Sequence, residues 1–203
     1  FYTHLDKNTC VYTFCMCPGG KVVNSSSLEG RLTTNGMSDF SRDGQNANSA
    51  LLVSFAPNSV SEALEFQKAT EEKAFRAAGG AFPVSAKITK KSTKTKVLPT
   101  VLPNYEFADF TDIFTPHFIS ALEKGSDIFH KKIFANTAFE RPIFTAPETR
   151  TSSPLRLKRD KETLKSLSHE NIYPCGEGAG YAGGIMSSAI DGIKIAEKIL
   201  TSY

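Results

Sequence analysis

Residues 171–200 read NIYPCGEGAGYAGGIMSSAIDGIKIAEKIL, and they carry the strongest local signal in the chain. The first four, 171–174, are typical of a short strand that ends at a proline. Five of the ten residues from Cys175 to Gly184 are glycines. Apolar residues then recur at helical spacing on one face, and these are Ile185, Met186, Ala189, Ile190, Ile193, Ala196 and Leu200. The segment therefore predicts a strand, a glycine loop and a helix.

The glycine loop contains a G-x-G-x-x-G spacing at Gly178, Gly180 and Gly183. Such glycines let the backbone approach a pyrophosphate at a helix N-terminus, where free N–H groups and the helix dipole favour anions. A complete dinucleotide-binding unit also needs a second parallel strand and an acid about 20 residues on, and neither follows before Tyr203. The pattern thus predicts a helix N-terminus with one acid, Glu177, suited to a polyhydroxyl group or the negative part of a cofactor. Glycines required only for a turn and close helix packing are the alternative.

The composition is that of a globular protein and argues against several partners. The chain has 203 residues, of which 40% are hydrophobic and 22% charged, so it can bury a core, and neither disorder nor a fibrous repeat fits. No apolar run approaches the roughly 20 residues of a membrane helix, so no membrane partner is expected. A net charge of +3 is too small to indicate a nucleic-acid partner. The lysine-rich stretch 87–96 has no interleaved aromatic residue, so it predicts a solvated loop.

The cysteines, Cys10, Cys15, Cys17 and Cys175, are too few and too clustered for a secreted disulfide framework, so a cytoplasmic location is expected. They form no C-x-x-C pair and the histidines have no ligand spacing, so we expect buried thiols and no structural metal. Cys15 and Cys17 remain candidates for redox chemistry. Residues 1–10 begin with Phe and lack the features of a signal peptide, so we expect a piece of a longer chain.

Residues 1–56 are predicted to be mainly β. The run Cys10–Cys17 is β-branched and aromatic, and it predicts a strand that enters a hairpin turn at Pro18-Gly19-Gly20. A second extended stretch, Ala50–Ala56, follows a loop over residues 33–48 that is rich in Gly, Asn, Asp and Ser.

Residues 57–135 are predicted to be a mostly helical cap insertion. Capping-box spacing at Ser59 starts the first helix, and Gly79-Gly80 stops it. Thr115-Pro116 starts a second helix that ends at Gly125, and a short third helix follows as far as residue 134.

Residues 136–203 are predicted to return to extended chain over Ile143–Leu157, before the C-terminal strand, glycine loop and helix. The predicted fold class is therefore α+β, with a β-rich segment over 1–56, a helical insertion over 57–135 and a returning segment over 136–203.

Several strings resemble one known family: Val11–Gly20, then Thr34–Ser38 with Ser41–Gly44 and Asn46–Ala50, and finally Glu148–Pro154 with Tyr173–Ile193. They resemble the uncharacterised bacterial FAD-dependent dehydrogenases, often labelled NAD(FAD)-utilising dehydrogenases. The resemblance runs in the same order over nearly the whole chain. It implies that the chain is the C-terminal part of a larger cytoplasmic flavoprotein, whose N-terminal Rossmann half carries the ADP-binding fingerprint.

The resemblance also implies roles for the glycine loop. In similar flavoproteins this region returns to the FAD, so Glu177 corresponds to an acid that binds ribitol or nearby hydroxyls. The helix N-terminus at Gly183, Gly184 and Ile185 would lie against the phosphate or the flavin O2 edge, where it stabilises the charge of reduced flavin. The implied cofactor-binding residues are Gly176, Glu177, Gly178, Gly180, Gly183, Gly184 and Ile185.

The resemblance implies less specific roles for the residues on the substrate side. Arg150 and Thr151 lie in a matching motif and line the flavin or the substrate, whereas Cys15, Cys17 and the loop Asn35–Arg42 belong to the substrate side. Arg150, Cys15 and Cys17 are therefore the catalytic candidates for a small-molecule substrate of unidentified class. NAD(P) is a further cofactor candidate.

The expected function is that of a fragment of a flavin-dependent dehydrogenase. Without the N-terminal half, the fragment should be inactive and should not retain FAD, and an apolar patch left uncovered should promote self-association. The alternative is a non-catalytic scaffold module that uses the glycine loop to bind a phosphate or nucleotide ligand.

Overall fold

A computed structural model describes residues 1–85, 97–134 and 142–201, so the predicted loop at 87–96 lies outside the described residues. Contacts divide the chain into two compact units. The larger unit comprises residues 1–57 and 65–149, and the smaller unit comprises residues 58–64 and 150–203. The predicted division into the segments 1–56, 57–135 and 136–203, with the roles assigned to them, stays a prediction.

The fold is mixed α+β, as predicted. Its elements in chain order are β1 (Tyr2–His4), β2 (Cys10–Asn24), β3 (Thr34–Ser38), β4 (Asn46–Val53), α1 (Val60–Ala77), β5 (Phe82–Ser85), β6 (Val101–Leu102), β7 (Tyr105–Phe107), a 3-10 turn (Phe110–Asp112), α2 (Pro116–Phe134), β8 (Phe144–Thr145) and α3 (Ile185–Leu200).

Strand β2 organises the larger unit. It pairs antiparallel with β1, β3 and β4, and parallel with β6. Tyr12 lies opposite both Tyr2 and Leu52, so both edges of β2 carry neighbours. A separate sheet places β5 between the parallel β7 and the antiparallel β8.

The predicted hairpin turn at Pro18-Gly19-Gly20 is wrong, because β2 continues through these residues. Gly20 pairs with Ser38 of β3 and with Asn46 of β4, so the chain keeps ladder partners on both edges. The register against β4 shifts twice between Phe14 and Gly20, which identifies bulges rather than a turn. The predicted loop over 33–48 likewise contains a strand, β3, because β2 is long enough to pair with it.

The helix predictions are partly confirmed. The Ser59 hydroxyl accepts a hydrogen bond from the Glu62 amide at 3.1 Å, and α1 ends two residues before Gly79, as the pattern indicates. The predicted break at Gly125 is wrong, because α2 is one continuous helix. A Cβ at Gly125 would overlap Val11 of β2, with the Val11 Cβ only 2.8 Å away. This glycine therefore allows α2 and β2 to approach closely.

The prediction of extended chain from Ile143 to Leu157 holds only for β8. Beyond β8 the backbone bonds to other partners: the Leu157 amide donates to the Ala179 carbonyl at 3.1 Å. Because a strand needs a neighbouring strand to satisfy its backbone, this segment remains irregular.

Both apolar core clusters lie in the larger unit. The main one joins α1, β5, β6, α2 and the 3-10 turn, and its buried members are Leu32, Ala74, Phe82, Val84, Val101, Phe110, Ile113, Ile119 and Ala146. The second consists of Val11, Ala121 and Phe129, where α2 meets β2. No helix among the described residues combines the length and the apolar character needed to cross a membrane.

We expect Gly125→Ala to reduce the free energy of unfolding by about 1–3 kcal/mol, because the added methyl overpacks the contact with Val11. Urea or thermal unfolding measures the change. Gly192→Ala in α3 is the matched control, since its added Cβ would find Cys175 Sγ at 4.0 Å. The control should gain about 1 kcal/mol of helix propensity. A similar gain in Gly125→Ala would contradict the close contact.

Candidate functional site

The glycine loop, residues 175–184, precedes α3 in the smaller unit. Two backbone bonds fold it into tight turns: the Tyr181 amide donates to the Gly176 carbonyl and the Gly180 amide to the Glu177 carbonyl, both at 2.9 Å. Gly180 has φ +80°, and an added Cβ would overlap the Leu155 carbonyl. This position therefore requires glycine for the fold of the loop itself.

The predicted strand at 171–174 is wrong. The Ile172 carbonyl accepts from the Ser166 amide at 2.7 Å, and the Pro174 carbonyl accepts from the Arg159 side chain at 2.7 Å. These partners take the carbonyls that a strand would present to a neighbour, so a loop forms instead. The helix predicted after the glycines is confirmed as α3.

An ion pair between Arg159 and Asp191 ties the start of the loop to α3. Arg159 Nη2 lies 2.6 Å from Asp191 Oδ1 and Nη1 lies 2.9 Å from Oδ2, which is a bidentate geometry. Asp191 Oδ2 also accepts from the Gly176 amide at 2.9 Å. Each side chain is only 11% exposed. We call this arrangement the clamp.

Tyr181 connects the far end of the loop to the same arginine. The Arg159 guanidinium carbon lies 3.7 Å from the centre of the Tyr181 ring, and the Tyr181 hydroxyl accepts from the Arg159 amide at 3.1 Å. Arg156 Nε donates to the Gly180 carbonyl at 2.8 Å, and Ser153 Oγ donates to the Gly178 carbonyl at 3.1 Å. The segment 153–159 thus holds the loop along most of its length.

The clamp controls the charge state of its members. The hydrogen bond from Arg159 lowers the pKa of Asp191 to about 2 against the opposing effect of burial, and the Gly176 amide lowers it further. The hydrogen bond to Asp191 raises the pKa of Arg159. Burial, followed by the negative charge of Asp191, raises the pKa of the Cys175 thiol. At neutral pH the clamp is therefore ionised, and Cys175 is a protonated, weakly reactive thiol.

The N-terminus of α3 is open. The Gly184 amide donates to Ser187 Oγ at 3.1 Å, while the first N–H groups of any α-helix have no acceptor inside the helix. A Cβ added at Gly178 or Gly183 would meet no atom within 4 Å. The carboxylate-bearing residue of the loop, Glu177, is exposed. Backbone amides, open space and one acid therefore surround this end of the helix.

Two buried hydroxyls in the smaller unit have no hydrogen-bond partner among the described residues. They are Thr151 Oγ1 and Ser188 Oγ. Ser188 lies in the first turn of α3, and its Cβ is the nearest atom, at 3.9 Å, to a Cβ added at Gly176. A buried hydroxyl without a partner costs about 1–3 kcal/mol, and no described residue offsets that cost for these two groups.

The catalytic candidates from the sequence are divided between the units. Arg150 is exposed in the smaller unit, whereas Cys15 and Cys17 lie on β2 of the larger unit. The prediction of buried thiols is wrong for Cys15, which is exposed at the first bulge of β2 with φ +45°. Cys17 is half-buried, and its thiol donates to the Cys15 carbonyl at 3.6 Å. Catalytic roles for all three residues stay predictions.

The described residues contain no group of three or more His, Cys, Asp or Glu side chains that could hold a metal ion. The expectation that the protein holds no structural metal stays a prediction.

The clamp was not predicted from the sequence. Arg159 and Asp191 belong to none of the motifs recognised there. The two residues are 32 positions apart, so no local pattern links them. Only the folded chain brings them together.

Comparison with known proteins identifies a family and a longer relative. The family described as "FAD-dependent protein, C-terminal domain-like" matches residues 1–151. An "Uncharacterized protein" of Clostridium beijerinckii is 43% identical over 205 residues, which covers 95% of this chain. The chain spans only 38% of the length of that relative. The family match ends before the glycine loop, whereas the match to the relative covers nearly the whole chain.

We expect Asp191→Asn to reduce stability at neutral pH by about 3–5 kcal/mol, because it leaves the Arg159 charge buried without its partner. The pKa of Asp191 is about 2 in the folded protein and about 3.9 in an unfolded chain. The contribution of the carboxylate is therefore complete above about pH 4 and is lost as the pH falls towards about 2. Urea unfolding across this range should show the gap between wild type and variant narrowing by up to about 2.6 kcal/mol.

The control for this experiment is Glu197→Gln, the same acid-to-amide change at an exposed position of α3. It should leave stability within about 0.5 kcal/mol of wild type. A gap for Asp191→Asn that stays constant down to pH 2 would show that the ion pair does not stabilise the fold.

Proposed function

The chain belongs to the family described as "FAD-dependent protein, C-terminal domain-like", and from that premise we propose that it is the C-terminal part of a flavin-dependent oxidoreductase. The length of the relative supports this division, because more than half of that protein lies outside the matched region. In this proposal the N-terminal remainder is a Rossmann half that holds the adenine and pyrophosphate of FAD. The substrate is a small molecule, and NAD(P) is a candidate electron carrier.

The open N-terminus of α3 is the observation that carries the proposal. Its amide groups and the helix dipole favour negative charge, and Gly183 leaves the approach free of side chains. The residues present therefore fit an oxygen-rich, negatively charged group such as the phosphate or the pyrimidine edge of a flavin.

Each residue of the loop has a distinct task in this proposal. Glu177 accepts hydrogen bonds from cofactor hydroxyls, and the backbone amide of Ile185 is directed at negative charge. The Gly184 amide already donates to Ser187 Oγ, so Gly184 contributes its lack of a side chain. Gly176, Gly178 and Gly180 shape the loop, which the clamp holds against α3. When bound, FAD would supply the redox chemistry, accepting or donating electrons that no side chain can carry. Arg150 is the candidate to bind the substrate.

A non-catalytic scaffold module is the second candidate. The same open helix N-terminus would hold a phosphate-bearing ligand without turnover. The two candidates differ in colour, because an oxidoreductase that retains flavin absorbs visible light and a scaffold is colourless. Purifying the full-length protein and recording its visible spectrum therefore distinguishes them.

We expect Gly183→Val to weaken flavin binding by the full-length protein at least tenfold, about 1.4 kcal/mol, without loss of thermal stability. The added side chain has free space in the protein and would obstruct only a ligand. Gly180→Ala is the structural comparison, because its Cβ overlaps Leu155 and should lower stability and flavin binding together. Isothermal titration with FAD and thermal unfolding measure both effects. Unchanged flavin affinity in Gly183→Val would refute the assigned site.

The isolated 203-residue chain should bind FAD far more weakly than the full-length protein. Loss of several charge-assisted hydrogen bonds, at roughly 1.5–3 kcal/mol each, corresponds to several powers of ten in affinity. A fluorescence titration of FAD into the two proteins tests this expectation. Tight stoichiometric binding by the isolated chain would show that the flavin site lies within these residues.

A further inference from the structure

Helix α3 exposes its apolar side. The residues of this side, which we call the outer face, are Ile185, Met186, Ala189, Ile190, Ile193, Ala196 and Leu200. The five large ones are between 49% and 89% exposed. Since successive residues of a helix are about 100° apart, all seven lie on one side. The buried residues Asp191 and Ile195 lie on the opposite side.

This arrangement reverses the usual one, in which a surface helix buries its apolar stripe and exposes its charges. Here the buried side carries the charged Asp191 of the clamp. Within the arc of the outer face the charged residue is Glu197, which lies between Met186 and Ile190, and Lys194 lies just beyond Ile190. A contiguous apolar stripe of this kind is typical of a surface that another polypeptide covers.

The smaller unit has little apolar interior of its own. Among its described residues, the buried apolar ones are Ala63, Ala179 and Ile195. Beyond α3 it also exposes large apolar side chains at Leu157, Leu167 and Ile172. A unit of about 60 residues is only marginally stable even with a well-formed core. Hydrogen bonds and the clamp hold this unit together, and its apolar surface lacks a packing partner within the smaller unit itself.

We propose that the outer face of α3 is the docking surface for the part of the same polypeptide that lies outside these 203 residues. The relative is far longer than the chain, which spans 38% of it, so a large remainder is present to cover the face. The occupant presents a complementary apolar surface. This inference stands independently of the cofactor assigned above.

The size of the outer face favours a segment of the same chain over a second copy. A 16-residue helix is roughly 24 Å long and presents a stripe about 10 Å wide. That footprint, roughly 240 Å², is far below the approximately 800 Å² that each partner buries in a stable complex. A covalently linked partner needs less area, because linkage gives an effective concentration in the millimolar range.

The test measures the accessibility of α3 in the full-length protein. Three single variants of the full-length protein are compared. Ile190→Cys and Ile193→Cys place a cysteine on the outer face, and Lys194→Cys is the matched control on the same helix. A maleimide reagent labels the native proteins, and peptide mass spectrometry separates the engineered sites from exposed Cys15. We expect the two outer-face cysteines to react at least tenfold more slowly than the control, and all three to react alike in urea. Equal rates in the native proteins would overturn the proposal.

Unmodified full-length protein provides a second measurement that needs no substitution. Met186 on the outer face is 72% exposed in the isolated chain and Met16 on β2 is 59% exposed. Mild peroxide oxidation of flavin-free protein should modify Met16 readily and Met186 at least tenfold more slowly. Comparable oxidation of both would refute a covered outer face.

Repeating the labelling at several protein concentrations shows whether the outer face is covered by a second copy of the protein or by another part of the same polypeptide. Protection that persists at dilutions where light scattering shows a monomer supports the proposal. Protection that disappears together with a dimer overturns it in favour of self-association. A colourless protein whose Ile193→Cys site is protected would refute the flavin proposal alone.

Discussion

The ion pair between Arg159 and Asp191 is the interaction on which the smaller unit depends. It occupies the position where a domain of this size would normally have apolar contacts, and it joins α3 to both ends of the glycine loop through Gly176 and Tyr181. A bidentate pair with low exposure is directional, so it fixes the loop relative to the helix more precisely than apolar packing would.

The clamp also determines which side of α3 is buried in the smaller unit. With Asp191 turned inwards, the helical period places Ile190 and Ile193 on the outside. The helix therefore satisfies its charged side within the unit and leaves its apolar side for another partner. The proposed cofactor-binding loop precedes the N-terminus of α3, and the proposed docking surface lies along the exposed side of the same helix.

The larger unit is organised by a different constraint, the continuity of β2. Because β2 has partners on both edges at Gly20 and pairs with β4 at Cys17, the strand continues through Pro18 and Gly19, and the irregular residues form bulges. One of these bulges exposes Cys15. The close approach of α2 at Gly125 then buries Val11 in the second core cluster.

Local patterns were sufficient for α1 and α3, because capping residues, terminal glycines and a helical repeat act within a few residues of one another. They failed at Pro18-Gly19-Gly20, at Gly125 and at 171–174. There the outcome depends on partners distant in sequence: β3 and β4 for β2, Val11 for α2, and Arg159 for the carbonyl of Pro174. The glycine loop was recognisable from its spacing. Its clamp and the outward turn of the apolar face of α3 were not, because 32 residues separate Arg159 from Asp191 and the helical repeat alone does not say which side is covered.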